Sequence, residues 1–217
     1  ADNGHAVNKS DIVIFAVKPQ VMKTAVLPLA QRLSENKPLL LSIAAGIPIS
    51  SIESWTGDDL AIVRAMPNTP ALVNAGITAL FANTRVLLEQ RNQAESIMRA
   101  VGKVVWIDDE VLMDTVTAVS GSGPAYFFYF MEALEQIAIK EGLDGETARL
   151  LTLETALGAA RLAIETTESL SALRSQVTSP GGTTEAAIQV LEQAGISQIL
   201  RRAVTAARKR SADLAIF

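Results

Sequence analysis

The chain has 217 residues, 49% of them hydrophobic and 19% charged, which is enough apolar content for a buried core and too much for a disordered segment. Nineteen Lys plus Arg against 23 Asp plus Glu leave a net charge of −4, a poor match to non-specific nucleic-acid binding, and 5% aromatic residues disfavour a base-stacking platform. The absence of cysteine and the single histidine exclude disulfides, thiolate metal sites and a cysteine nucleophile, and leave too few ligands for a metal cluster or a Ser-His-Asp triad.

The first half alternates strand and helix signals. Ile12 to Val17 is a continuous apolar, β-rich run, suited to a strand buried on both faces. Leu39 to Ile43, Ala61 to Ala65, Gly76 to Ala82 and Lys103 to Ile107 are further strand candidates. Between them, helical patterns cover Val21 to Leu33, Ile49 to Trp55 and Val86 to Val101, and Pro28 should split the first. This alternation predicts a parallel α/β sheet. The acidic run Asp108-Asp109-Glu110 marks the expected boundary, with domains at 1–108 and 109–217.

The second half carries only helical signals. Pro124 sits in the first turn of a helix whose Phe127, Phe130, Met131, Leu134 and Ala138 recur at spacings of three and four. A long helix from about Glu146 to Ile164 follows, then helices from Thr183 to Glu192 and from Ile196 towards Leu214. The second of these four helices has two apolar stripes, Leu150–Leu153–Leu157–Ala160–Ile164 and Leu151–Thr155–Gly158–Leu162. A helix apolar nearly all round must be buried nearly all round. A domain of this size can hardly surround it alone, so a helical dimer interface is expected.

Three strand ends have ligand-crevice character: Ala16-Val17-Lys18-Pro19, Ser42-Ile43-Ala44-Ala45-Gly46, and Arg64-Ala65-Met66-Pro67-Asn68-Thr69-Pro70. Ligands of open α/β sheets bind outside the carboxyl ends of the strands, and small side chains there admit a flat ligand. Any one of these loops alone would read as plain turn chemistry. Two Gly-rich segments open helices in the second half, Ser120-Gly121-Ser122-Gly123-Pro124 and Ser179-Pro180-Gly181-Gly182-Thr183-Thr184-Glu185. Free N–H groups at a helix N-terminus favour a carboxylate or phosphate. Two glycines followed by two threonines exceed what a simple cap requires. His5, the basic residues near the C-terminus and the acidic run read more simply as solvated surface. No G-x-G-x-x-G fingerprint occurs, because Tyr126 stands at the third glycine position after Gly121 and Gly123.

Taken in order, these motifs resemble the pyrroline-5-carboxylate reductase family. The matching pieces are Ser10 to Pro19, Ser42 to Gly46, Arg64 to Pro70, Ser120 to Tyr126 and Val177 to Thr184, and the last is the most specific. The resemblance implies a Rossmann-type parallel sheet domain, here partial, followed by an all-helical dimerisation and substrate-binding domain. It implies reduction of 1-pyrroline-5-carboxylate to L-proline with NADPH or NADH. It puts Asn3, Ala16, Val17, Lys18, Pro19, Ala44, Ala45 and Asn68 at the cofactor. It puts Glu110, Ser179, Gly181, Gly182, Thr183 and Thr184 at the substrate, with the Thr184 hydroxyl catalytic at the ring nitrogen, and no metal.

The implied partners are the small-molecule substrate and further copies of the chain, as a dimer or a ring of dimers, with no nucleic acid and no membrane. No apolar run approaches the ~20 residues of a membrane span, and Ala1 to His5 lacks the parts of a signal peptide, so a cytoplasmic location is expected. The family's opening strand, Gly-rich turn and helix have no counterpart, which implies a chain short by about fifty residues at its start and an unpaired edge at Ile12 to Val17. Two other functions remain open at this point. One is a 3-hydroxyacid-type dehydrogenase of similar build, for which only Lys140 offers a second-domain lysine. The other is a non-catalytic dimeric ligand-binding protein.

Overall fold

The computed structural model describes residues Asn3 to Leu214. Two compact units divide them. The first takes the chain up to Pro124 together with the residues from Val204 onward, and the second takes Ala125–Ala203. This division of packing differs from the expected boundary at 108/109. The segment after Asp109 still packs on the sheet, and the end of the last helix returns to the first unit.

The first unit is built on a five-stranded sheet in sequential order: β1 (Ile12–Phe15), β2 (Leu39–Ser42), β3 (Ile62–Met66), β4 (Gly76–Ala82) and β5 (Gly102–Trp106). β1, β2 and β3 are parallel, and so are β4 and β5, but β4 runs antiparallel to β3. The expected parallel sheet is therefore mixed at this step. The reason is the connection: β3 ends at Met66 and β4 begins at Gly76, with only a 3₁₀ turn over Thr69–Val73 between them. A parallel return needs a crossover of roughly a dozen residues or more. β1 has β2 as its one neighbour in the sheet order, so its outer edge is open among the described residues.

Alternation along β2 builds the two faces. Leu40 joins a core with Met22, Val26, Leu33, Ile52 and Ile62. Leu39 and Leu41 point the other way, to Val63, Leu80, Ala94 and Met98. The first face is covered by α2 (Pro19–Val26), α3 (Ala30–Asn36) and α4 (Ile49–Thr56), after a short α1 (Asn3–Ala6); the second by α5 (Leu88–Arg99). α2 and α3 are separated by a 3₁₀ turn at Leu27–Leu29, where Pro28 lacks the N–H that a continuous helix would use. Three consecutive leucines in β2 are fully buried, which fits a strand covered on both faces. After β5 come α6 (Met113–Val116) and a π-helical turn over Thr117–Gly121, leading into α7 (Gly123–Lys140).

The second unit is helical. It contains α7 from Ala125, then α8 (Gly145–Glu165), α9 (Leu170–Gln176), α10 (Thr183–Gln193) and the first half of α11 (Ile196–Asp213). Asp144 caps α8 by accepting from the Thr147 N–H at 2.9 Å. Only Ala148 and Thr152 of α8 are buried, while Leu150, Leu151, Leu157, Leu162 and Ile164 stand exposed in the single chain. Among the described residues no helix is long and apolar enough to cross a membrane.

Candidate active site

Because β1, β2 and β3 are parallel, their carboxyl ends open on one edge of the sheet. The loops carrying Ala16 to Lys18 and Ile43 to Pro48 lie side by side there, joined by the Ile43 N–H donating to the Phe15 carbonyl at 3.1 Å. Asn3, Ala16 and Val17 line one cleft of about 230 Å³ along β1. Pro19 starts α2, with Lys18 as its exposed N-cap residue. Ala44 is buried and Ala45 half-buried at the neighbouring strand end, outside that cleft. Gly46 turns the loop with φ +75°. A Cβ on Gly46 would lie 2.6 Å from the Ser211 carbonyl oxygen, so the loop packs directly against the end of α11.

Asn68 and Glu110 have duties within the protein. The Asn68 amide donates to the Ser120 carbonyl at 3.3 Å, and its oxygen accepts from the Ile77 N–H at 3.0 Å. Both ends of the side chain are thus engaged by the backbone. Glu110 Oε1 accepts from the Ile49 N–H at 2.8 Å, at the start of α4, and pairs with the Arg64 guanidinium at 3.1 Å. The resemblance puts Glu110 at the substrate; in the structure its Oε1 is held by the buried Arg64 guanidinium and by the start of α4. Within the acidic run, Asp109 accepts from the Val111 N–H at 3.0 Å in a turn of its own.

In the second unit, Ser179, Gly181, Gly182, Thr183 and Thr184 form the turn that opens α10. Gly181 adopts φ +71°, a conformation glycine takes without strain. The Gly182 N–H returns to the Ser179 carbonyl at 2.9 Å, and a Cβ on Gly182 would meet that same oxygen at 2.9 Å. The Gly181 N–H donates to the Glu185 carboxylate at 2.7 Å. Gly182, the N-cap residue, makes no side-chain cap, so the first-turn N–H groups of Thr183 and Thr184 have no acceptor within the helix. Ser179 and Thr183 are exposed and Thr184 half-buried, with both hydroxyls beside that helix start. The turn therefore already takes one carboxylate, its own, and offers further donors to a second.

Two further participants emerge from the structure. Glu185 could have been found from its place three residues after the N-cap, where a carboxylate reaches back to loop N–H groups. Arg64 is almost wholly buried and pairs with partners 46 or more residues away, which no local pattern signals.

A family model described as pyrroline-5-carboxylate reductase dimerisation matches residues 110–214. A pyrroline-5-carboxylate reductase of Pseudomonas aeruginosa is 49% identical over 98% of this chain and 78% of its own length. The Synechocystis enzyme of the same name is 46% identical, with the same coverage of both chains. Among solved structures, a pyrroline-5-carboxylate reductase from Coxiella burnetii superimposes with a TM-score of 0.92 at 50% identity, covering 100% of this chain and 80% of that one. The Plasmodium falciparum pyrroline carboxylate reductase, solved with NADP bound, gives 0.93 at 31% identity over 99% of this chain and 81% of that one.

Proposed function

The chain belongs to the pyrroline-5-carboxylate reductase family, and from that membership we propose that it reduces 1-pyrroline-5-carboxylate to L-proline in proline biosynthesis. The observation that carries this reading in the chain itself is the α10 opening. Its Gly-rich turn takes the Glu185 carboxylate and leaves first-turn N–H groups and two threonine hydroxyls beside it. A substrate carboxylate fits those donors, at the positive end of an eleven-residue helix.

The strand ends suit a nicotinamide cofactor, NADPH or NADH. Ala16, Val17, Ala44 and Ala45 keep side-chain bulk away from the edge of the sheet, and the exposed Lys18 adds a cation for a phosphate. When bound, the cofactor supplies the hydride. Asn3, Ala16, Val17, Lys18, Pro19, Ala44 and Ala45 hold it. Asn68 contributes by fixing the backbone around the crevice, since its amide is spent on Ser120 and Ile77.

Ser179, Gly181, Gly182 and Thr183 orient the substrate through its carboxylate. The Thr184 hydroxyl hydrogen-bonds the ring nitrogen and passes it a proton from water. Most of the rate enhancement then comes from alignment of two bound reactants. Residues 1–108 serve as the dinucleotide-binding part and 109–217 as the dimerisation and substrate-binding part. The match to a dimerisation model, together with the exposed leucines of α8, supports a homo-oligomer. A ring of dimers and a cytoplasmic location complete the reading.

The test is spectrophotometric. Oxidation of NADPH or NADH should follow addition of 1-pyrroline-5-carboxylate and yield proline. Oxidation of short 3-hydroxyacids without imine reduction would overturn the assignment in favour of a hydroxyacid dehydrogenase.

A further inference from the structure

A buried ionic cluster in the first unit has no place in the chemistry just described. Arg64, in the middle of β3, has a side chain only 5% exposed. Its guanidinium lies 3.1 Å from Glu110 Oε1 and 3.7 Å from Asp114 Oδ1. Glu110 accepts from the Ile49 N–H at 2.8 Å, and Asp114 accepts from the Ser211 hydroxyl at 2.7 Å. One cation thus ties together a central strand, the start of α4, α6 and the end of α11.

Those last contacts converge on one loop. Ile49 begins α4 immediately after the loop that runs from Ser42 through Ala44, Ala45 and Gly46. Ser211 sits on the other side of the same loop, its carbonyl against Gly46, with Leu214 Cβ 2.8 Å from where a Gly46 Cβ would be. The loop is held between two elements, and both are anchored to Arg64 through a carboxylate. A buried guanidinium cannot be left unpaired, so neither anchor moves without a large penalty. The two carboxylates against one cation are balanced by the Ile49 N–H at a helix start and by the Ser211 hydroxyl.

We propose that Arg64 is a positioning residue for cofactor binding, acting through Glu110, Asp114 and Ser211 to fix the Ser42–Gly46 loop. The inference rests on the cofactor reading of that loop. It assigns the last turn of α11 a role in cofactor affinity through Ser211, which bonds Asp114 and packs against Gly46. Bidentate geometry is what lysine lacks, so Arg64→Lys keeps the charge and loses one of the two anchors.

The experiment compares Ser211→Ala, Glu110→Gln and Arg64→Lys in the natural full-length enzyme, reading NADPH binding by fluorescence titration without substrate. Thermal melts and separate KM and kcat values accompany it. Ser211→Ala should weaken NADPH binding by about three- to tenfold, the effect of one lost buried hydrogen bond, with kcat and the KM for the imine nearly unchanged. Ser211→Thr, which keeps the hydroxyl, should restore affinity. Glu110→Gln keeps an acceptor for Ile49 but weakens the pair with Arg64, and should fall in the same direction. Unchanged NADPH affinity in Ser211→Ala and Glu110→Gln, with only a lowered melting temperature, would overturn the proposal, because a purely structural cluster predicts that pattern. Arg64→Lys should lie between wild type and Arg64→Met; if Arg64→Met does not fold, the Ser211 and Glu110 variants decide alone. Wild-type enzyme that binds no NADPH would remove the cofactor reading itself, and the inference with it.

Discussion

Asn68 joins its own loop to the turn before α7: its amide nitrogen donates to the Ser120 carbonyl at 3.3 Å while its oxygen accepts from the Ile77 N–H. The two segments flank the open end of the sheet, and Ser120 Oγ is itself buried without a partner among the described residues. Asn68→Asp tests the tie. It preserves the acceptor for Ile77 but replaces the donor with a carboxylate oxygen facing a carbonyl. The expected cost is about 1 kcal/mol of stability, the low end for an unsatisfied group because the site is only half-buried. A urea melt checks it, and an unchanged midpoint would mean that the Ser120 tie contributes nothing.

Thr184 stands in the first turn of α10, half-buried beside N–H groups that lack a helical acceptor. Removing its hydroxyl leaves the turn intact, because Gly182 and Glu185 make the loop's own hydrogen bonds. Thr184→Ala should therefore lower kcat by roughly 10- to 1000-fold, the loss of one well-placed donor, with NADPH affinity nearly unchanged. Thr184→Ser should recover most of it. Wild-type turnover in the alanine variant would remove Thr184 from the mechanism.

How far the sequence led depends on the range of the interaction. The strands were legible because each is a short apolar run, and the gap between α2 and α3 because Pro28 cannot donate. The α10 opening was legible because its glycines and threonines are consecutive. The reversed direction of β4 depends on a short connection that looked like any other loop. The pairing of Arg64 with Glu110 depends on chain closure across the whole sheet. That is why the Arg64–Glu110 pair could not be read from either local segment.

Glu95 reports on the outer face of the sheet. The Trp106 indole donates to its carboxylate at 2.7 Å and Arg99 Nε donates at 2.8 Å, while Arg91 lies over the Trp106 ring. The Trp106 hydrogen bond first, and Arg99 second, hold the Glu95 carboxyl below its usual range. A carboxyl whose pKa is depressed by folding binds fewer protons in the native state than in the unfolded chain. Its stabilisation is complete above the unfolded value, about 4.3, and is lost as pH falls through the lower folded value. The stability difference between wild type and Glu95→Gln should thus be constant near neutral pH and shrink in acid. Thermal melts from neutral pH to about pH 3 measure it. A gap that widens in acid would contradict the assignment.

The leucines of α8 are the last test. Leu150, Leu153 and Leu157 form one stripe, 60%, 39% and 47% exposed in the single chain, on a helix matched by a dimerisation model. Covering the roughly half of each such side chain that is still exposed is worth about 1 kcal/mol. In a two-fold assembly every substitution occurs on both sides of the interface, so its cost counts twice. Leu157→Arg would place a guanidinium where an apolar partner face is expected, and a buried unpaired charge is among the costliest changes a contact can suffer. The same substitution leaves the monomer's own packing nearly untouched, since nearly half of Leu157 is already open to solvent there. Sedimentation should therefore show a shift from oligomer to monomer, with helical content retained by circular dichroism. An oligomer of unchanged size would mean that this stripe of α8 is not the surface through which copies associate.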